Sequence, residues 1–324
     1  MKLRRIKAGD DLHVELLGPQ GWVEVAKCLG KLGQRATADA QLLATDILAL
    51  LGAPAEMRAA ITDAAQRIDP RPTPEVSVVI PFEPRSFRDF MLYESHAIAA
   101  ARGFVRTRMP AAFQVVRAYE ALTEKAFPRL KPHALWYRQP VYYMGNHLTL
   151  ATDGEPVSVP SYTRTLDYEL ELGFVLAHPL RDASPATAEA AIGGFVVLND
   201  FSARDVQLAE MASGFGPQKS KHFRSAMSKI VVTADEILPR WRALKGFVRL
   251  NGTLISEPPT AGARWSLGEV LAHASRSEQL HPGELIGSGT LPGGSGIETG
   301  HELIPGDLIE IGIEGIGTLA NPIV

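Results

Sequence analysis

The sequence predicts an α+β protein in which a small N-terminal domain, residues 1–74, precedes a larger, strand-rich domain, residues 75–324. Three stretches carry that prediction. In Leu166-Asp167-Tyr168-Glu169-Leu170-Glu171-Leu172-Gly173-Phe174, Glu169 and Glu171 fall on one side while Leu170, Leu172 and Phe174 fall on the other. A period of two is that of a strand with one face on an apolar core. Phe195-Val196-Val197-Leu198 is a short apolar run that stops at Asn199-Asp200, a second strand. Asp69-Pro70-Arg71-Pro72-Thr73-Pro74 is a stiff, proline-rich linker, and the domain boundary falls there.

Taken in order, His13-Val14-Glu15-Leu16-Leu17 and Trp22-Val23-Glu24-Val25 flank Gly18-Pro19-Gln20-Gly21, the pattern of a hairpin. Thr37 to Leu51 reads as one helix, with Leu42, Leu43, Ile47, Leu50 and Leu51 as its apolar stripe and Gly52 as its stop. A second helix is expected from Pro54 to Ile68, proline suiting a first helical position. These residues carry no chemical motif, and their expected role is to support the larger domain and its oligomer. Val76-Ser77-Val78-Val79-Ile80 opens that domain as a β-branched strand. Ser184 followed by Pro185 starts a short helix, and Ile230-Val231-Val232-Thr233 is a further strand. Ser266-Leu267-Gly268-Glu269 is a capping box that opens a helix reaching to Ser277. Near the C-terminus, Ile304–Asp307 and Gly315–Asn321 read as turns on either side of a strand.

Composition narrows the function. Apolar residues make up 45% of the 324 and charged residues 21%, as in globular proteins. The net charge of −3, with no basic block, argues against a nucleic-acid or anionic-membrane partner. The single cysteine, Cys28, forbids an intrachain disulfide and suits a reducing, cytoplasmic setting; a structural role is expected for it. The basic Met1–Arg5 start lacks the apolar stretch of a secretory signal, and no run reaches the roughly 18 apolar residues of a membrane span.

The chemistry begins with Glu169 and Glu171. Two carboxylates on one strand face are close enough to hold one cation, and Asp200 at a strand end can join them. Donors that are all oxygen suit Mg²⁺, Mn²⁺ or Ca²⁺ rather than Zn²⁺. A strand with glutamates on a wet face is ordinary, and on the pair alone a solvated strand is the favoured reading.

The combination L-D-Y-E-L-E-L and N-D-F-S-A-R-D-V-Q resembles the core signature of the fumarylacetoacetate hydrolase family, a likeness that runs from about Pro81 to the C-terminus. It implies a mixed β-sandwich roll, a homodimer, and a divalent-metal site at the open end of the roll. In the family, an acid followed seven residues later by histidine supplies a metal ligand and the catalytic base. This assigns Asp89 to the metal and His96 to the base, on one face of a helix if the segment is helical. Trp136–Asn146 resembles the substrate wall, with Tyr143 as a substrate contact or, equally, a core aromatic. Lys221, counted back from the strand at Ile230, matches the active-site lysine; Lys219 is its near competitor. Gly287-Ser288-Gly289-Thr290 resembles a glycine-threonine turn whose Thr290 helps to hold substrate, and Glu298 falls where a carboxylate could orient His96. Met144, Met211 and Arg224 stand where the fumarylacetoacetate enzyme has histidine, tyrosine and glycine, so the far end of its substrate is not carried over.

Four carboxylates, Asp89, Glu169, Glu171 and Asp200, would repel one another and raise at least one pKa; a cation, Mg²⁺ first and Mn²⁺ or Ca²⁺ as alternatives, relieves this. The expected reaction is hydrolysis of a carbon–carbon bond in an acylpyruvate-like 2,4-diketo acid. The cation polarises the carbonyl and steadies the departing enolate. His96 deprotonates the attacking water, while Arg204, Gln207 and Lys221 donate to developing negative charge. Arg204 has an equal second reading, an ion pair that organises the Asp200 turn. The alternatives are a lyase that decarboxylates or dehydrates a 2-oxo acid, and a metal-stabilised binding protein without turnover.

Overall fold

The computed structural model describes residues 1–33, 37–70 and 76–324. It opens with the strands β1 (Lys2–Ala8), β2 (Asp11–Gly18) and β3 (Gly21–Glu24), then the helices α1 (Val25–Lys31), α2 (Ala38–Thr45), α3 (Ile47–Gly52) and α4 (Ala55–Ala65). The hairpin pairs Gly18 with Gly21, as its sequence predicts. The single helix expected over Thr37–Leu51 is two helices. Asp46 is extended, at φ −121° and ψ 114°, and its side chain accepts a hydrogen bond from the Leu48 N–H, so it ends one helix and caps the next. With that break Ala40, Ala44, Ile47, Leu50 and Leu51 are buried while Leu42 stays exposed. The helix expected to reach Ile68 ends at Ala65, and Pro54 is its cap rather than its first residue. Residues 71–74 of the proline-rich linker lie outside the described residues.

The chain continues through β4 (Ser77–Val79), β5 (Ser86–Phe90), α5 (Glu94–Arg108), α6 (Pro110–Thr123), β6 (Tyr142–Gly145), β7 (Leu150–Thr152), β8 (Leu166–Asp167) and β9 (Glu169–Leu176). Then come α7 (Pro185–Ala190), β10 (Ile192–Asn199), β11 (Ser202–Ala203), α8 (Arg204–Ala212), β12 (Ser225–Met227), β13 (Ile230–Thr233) and α9 (Ala234–Ile237). The last elements are β14 (Gly246–Leu250), β15 (Thr253–Ser256), α10 (Leu267–Ala274), β16 (Glu284–Ser295), α11 (Gly296–Thr299), β17 (Leu308–Ile313) and β18 (Gly317–Pro322). Ser184 caps α7 and the Ser266–Glu269 box caps α10, both where the sequence places them. Asp89 and His96 do not share a helix: the first ends a strand, β5, and the second lies in the first turn of α5. Gly287–Thr290 is an irregularity inside β16 rather than a turn, with Gly289 at φ +77°. Of the second C-terminal turn only the reversal before Gly317 is a turn, because Gly317–Pro322 pairs with β17 as β18.

The fold is a mixed α+β architecture. Twelve strands form one mixed sheet along the order β3-β2-β1-β13-β10-β9-β16-β5-β6, with β4 on β1 and β12 between β10 and β7. A four-stranded sheet, β15-β14-β17-β18, and the small pair β11-β8 complete it. Strand pairing runs across the division expected at residue 74: β1 pairs with β13 and also with β4.

The large sheet is buried on both faces, and β9 shows how. Leu170, Leu172, Phe174 and Leu176 join one core with Phe195, Val197, Ile309 and Ile311. Val175 and Ala177, on the opposite face, join a second core with Val14, Leu50, Ile61, Val196 and Leu285, so the N-terminal helices cover that side. No face of β9 is wet, and every one of its residues is buried. Each such side chain is a large stabilising term; truncating a fully buried phenylalanine such as Phe174 to alanine costs about 3–5 kcal/mol. Glu169 and Glu171 lie on the same face as Val175, at the start of the strand, and both are buried. A charged pair buried there requires partners.

Candidate active site

Neighbouring strands bring three carboxylates to one level of the sheet. Gly287 of β16 lies opposite both Asp89 of β5 and Gly173 of β9, and Leu198 of β10 lies opposite Glu171. One carboxylate oxygen each from Asp89, Glu171 and Asp200 lies within 4.8 Å of the others. The residue between them has to be glycine: a Cβ on Gly287 would sit 2.4 Å from Asp89 Oδ1 and 2.5 Å from Glu171 Oε2. The Asn199-Asp200 stop is knitted to the glutamate strand, since Asn199 Oδ1 accepts from the Glu169 N–H at 2.9 Å and the Asp200 N–H donates to the Glu169 carbonyl at 3.1 Å.

The trio is short of donors. Asp200 is served by Tyr143 Oη at 2.7 Å, Ser225 Oγ at 2.9 Å and Lys221 Nζ at 2.5 Å. Among the described residues, Asp89 Oδ1 and both oxygens of Glu171 are buried with no hydrogen-bond partner. Burial, and then the charge of Asp200, push the Asp89 carboxyl well above the usual carboxylate range. Burial followed by the charges of Asp89 and Asp200 does the same to Glu171. Converging, partnerless carboxylate oxygens are what a hard divalent cation requires, so the residues present fit Mg²⁺, Mn²⁺ or Ca²⁺.

Glu169, two residues from Glu171, has the opposite surroundings. Lys221 Nζ lies 2.5 Å from its Oε2, and Arg204 Nη2 lies 2.6 Å from its Oε1. The Arg204 contact is an ion pair by distance without hydrogen-bond geometry. Burial works to raise the Glu169 pKa, but Arg204 and Lys221 outweigh it and hold the carboxyl far below its ordinary range. Burial likewise opposes the charge on Lys221, yet Asp200 and Glu169 hold it protonated well above the ordinary lysine range. Lys221 therefore bridges the fourth carboxylate to the trio through Asp200. Lys219 is exposed, with its ammonium over the Tyr162 ring at 5.4 Å, outside the cluster. Arg204 also donates through Nε to Asp167 at 2.7 Å and through Nη1 to Gln207 Oε1 at 2.9 Å.

His96 is buried, and its Nδ1 lies 3.0 Å from Glu298 Oε2. A carboxylate only accepts, so Nδ1 of the neutral ring carries the proton and Nε2 keeps its lone pair. Glu298 is itself fixed by Ser295 Oγ at 2.8 Å and the Gly293 N–H at 3.1 Å. Thr290 is buried on β16 opposite Glu171.

Residues 111–324 match the family model described as fumarylacetoacetate (FAA) hydrolase C-terminal, about two thirds of the chain. The chain belongs to the fumarylacetoacetate hydrolase family. Among curated members, the mitochondrial oxaloacetate tautomerase FAHD1 of Homo sapiens is 30% identical over 178 residues, 55% of this chain and 78% of that protein. The 4-hydroxyphenylacetate degradation bifunctional isomerase/decarboxylase of Escherichia coli is 28% identical over 247 residues, 69% of this chain and 54% of that protein. Among solved structures, fumarylacetoacetate hydrolase from Exiguobacterium antarcticum superposes with a TM-score of 0.69 at 22% identity, covering 100% of this chain and 99% of that one. Maleylpyruvate hydrolase from Sphingobium sp. SYK-6 gives 0.66 at 18% identity, with 100% and 99% covered. The fumarylacetoacetate hydrolase family thus includes proteins named as hydrolases, isomerases, decarboxylases and tautomerases.

Set within that family, the departures at Met144, Met211 and Arg224 are all outside the acid cluster. Met144 and Met211 are exposed, and Arg224 pairs with Glu155 at 3.0 Å. Sequence reasoning passed over Asp167. Its carboxylate accepts from the Tyr168, Gly296 and Ile297 N–H groups as well as from Arg204, tying the arginine to the start of α11, which carries Glu298. Its place in the L-D-Y-E-L-E-L motif was the available signal; what it reaches was not.

Proposed function

We propose that the chain is a divalent-metal-dependent hydrolase that cleaves a carbon–carbon bond in an acylpyruvate-like 2,4-diketo acid. The observation that carries this reading is the His96–Glu298 pair, a buried histidine oriented by a carboxylate and near enough to the acid cluster for its charge to act on Glu169. Asp89, Glu171 and Asp200 would hold the cation, while Glu169, expected from the sequence as a fourth ligand, has both oxygens taken up by Lys221 and Arg204 and would serve the site by holding those two side chains. When bound, the cation supplies Lewis-acid polarisation of the keto acid's oxygens and offsets the enolate charge.

The rest falls to the chain's own residues. Nε2 of His96 accepts a proton from water, and the hydroxide attacks the acyl carbonyl; Glu298 steadies the imidazolium that results. Collapse of that adduct breaks the carbon–carbon bond, giving a carboxylic acid and an enolate. The enolate takes at carbon the proton that His96 holds, so that pyruvate leaves and the imidazole is neutral again. Lys221 and Arg204 place donors along the acid cluster, Gln207 steadies Arg204 by accepting from its Nη1, and Tyr143 and Thr290 flank the cluster, positions suited to orienting the substrate.

A second reading is favoured by the names of the relatives, a tautomerase and an isomerase/decarboxylase. Proton transfer or decarboxylation of a 2-oxo acid uses the same enolate stabilisation without an attacking water. Product analysis with a panel of 2,4-diketo acids and 2-oxo acids separates them. Pyruvate plus a carboxylic acid supports hydrolysis; CO₂, or exchange of the proton next to the carbonyl without cleavage, supports the second reading.

A further inference from the structure

Lys221 reaches the acids from a loop, and a loop lysine has to be held there against its own rotamer and backbone entropy. The loop runs from the end of α8 to β12 and enters the core abruptly: Gln218 and Lys219 are exposed, while Ser220 and Lys221 are buried. One side chain fastens that entry. Glu210, in the last turn of α8, accepts from the Gln218 N–H at 2.8 Å, the Lys219 N–H at 2.7 Å, the Ser220 N–H at 3.1 Å and the Ser220 hydroxyl at 2.7 Å. Four donors on three consecutive residues converge on one carboxylate, and the next residue is the lysine that bridges Glu169 and Asp200.

We infer that Glu210 is a positioning residue that sets Lys221 between Glu169 and Asp200, an inference that rests on the role proposed for Lys221 above. Without Glu210 the Ser220 hydroxyl and N–H, buried in the intact protein, lose the acceptor that ties them to α8, and the turn that delivers Lys221 is no longer held to that helix. Among the described residues, Ser220 is otherwise tied only through its carbonyl, which accepts from the Ala203 N–H at 2.9 Å; that bond fixes the backbone but not the direction of the side chain that follows. The same helix bears Arg204 in its first turn, steadied by Gln207, so α8 would set both cationic side chains of the site: Arg204 from its own start and Lys221 through Glu210 at its end.

The test has two arms. In the first, the Mg²⁺-loaded protein is acetylated with an activated ester and the modified lysines are mapped by mass spectrometry. Lys221 should resist modification in the wild type and react about tenfold faster in Glu210→Ala, the order of change expected when a local opening replaces a held contact, while exposed Lys219 keeps its rate. Glu210→Gln, which keeps one acceptor oxygen, should show the same change to a smaller extent and serves if the alanine variant does not fold. In the second arm, Glu210→Ala should lower kcat by about 10- to 100-fold, the effect of a small misplacement of an active-site group. In a Lys221→Met background the same change should lower kcat no further. Unchanged protection of Lys221, or effects on kcat that multiply, would overturn the inference. If Lys221→Met itself keeps full turnover, the chemical role of Lys221 fails, while the acetylation pattern still decides the positioning role of Glu210.

Discussion

Glu169 and Glu171 leave the same strand on the same side, yet they belong to opposite electrostatic regions. Around Glu169 lie Arg204 and Lys221, and its carboxyl is held far below the ordinary range. Around Glu171 lie Asp89 and Asp200, both its oxygens lack partners among the described residues, and its carboxyl is pushed up. One half of the site is a closed ion-pair network, and the other half is open to a cation. The lesson is that two like groups acquire different tasks from their neighbours, and that opposed pKa shifts in adjacent carboxyls mark where each task is done.

The largest test of that contrast replaces each glutamate in turn. Glu171→Gln should abolish cation binding and reduce turnover to background, while relieving repulsion in the metal-free protein. Glu169→Gln leaves Arg204 and Lys221 buried with one counter-charge fewer and should destabilise the fold by about 3–5 kcal/mol, the usual result of breaking a buried pair. Metal analysis together with denaturant unfolding reads both, and equal behaviour of the two variants would erase the distinction.

Next in size is the division between holding the metal and moving protons. His96→Ala should keep its metal and its melting temperature while turnover falls by about 10²–10⁴, as for loss of a general base. Asp89→Ala should lose metal and activity together. If His96→Ala arrives without metal, the histidine belongs to the cation and not to the water.

Lys221→Met should then lower kcat by about 10²–10³, the contribution typical of one donor to developing charge, with Lys219→Met close to wild type. Mild and equal effects would place neither lysine against substrate.

The smallest expected effect is thermal. Saturation with Mg²⁺ at about 100 times Kd should stabilise the protein by about 2.7 kcal/mol relative to chelated protein. Its pH dependence follows from the raised carboxyls. Groups raised above their unfolded pKa stabilise the metal-free fold below the unfolded value and lose that contribution as pH rises through the folded one. Cation binding displaces those protons, so the melting-temperature gap between Mg²⁺-loaded and chelated protein should widen as pH rises above the ordinary carboxylate range. A gap that shrinks as pH rises would contradict carboxylate ligands with raised pKa.

Much of the site is legible before folding. The alternation at Glu169 and Glu171, the Asn199-Asp200 stop and the caps at Ser184 and Ser266 follow from local rules and recur in the structure. Local rules failed where a single residue interrupts a pattern. Asp46 splits a continuous apolar stripe, because a side chain that caps the next helix outweighs propensity. The segment from Pro81 to Ala97 offers no periodicity to show that Asp89 sits on a strand and His96 on a helix; pairing of β5 with β16 and β6 decides it.

By itself, the sequence determined which faces the side chains take, because strand and helix periods are properties of the backbone, and it determined that several acids would share one strand end. Only the tertiary structure decided which acid is neutralised and which is left for a cation. Glu169 meets Lys221 across 52 positions of chain, and His96 meets Glu298 across 202. The Coulomb energy that separates Glu169 from Glu171 depends on distance through a low-dielectric interior, and spacing along the chain does not encode that distance.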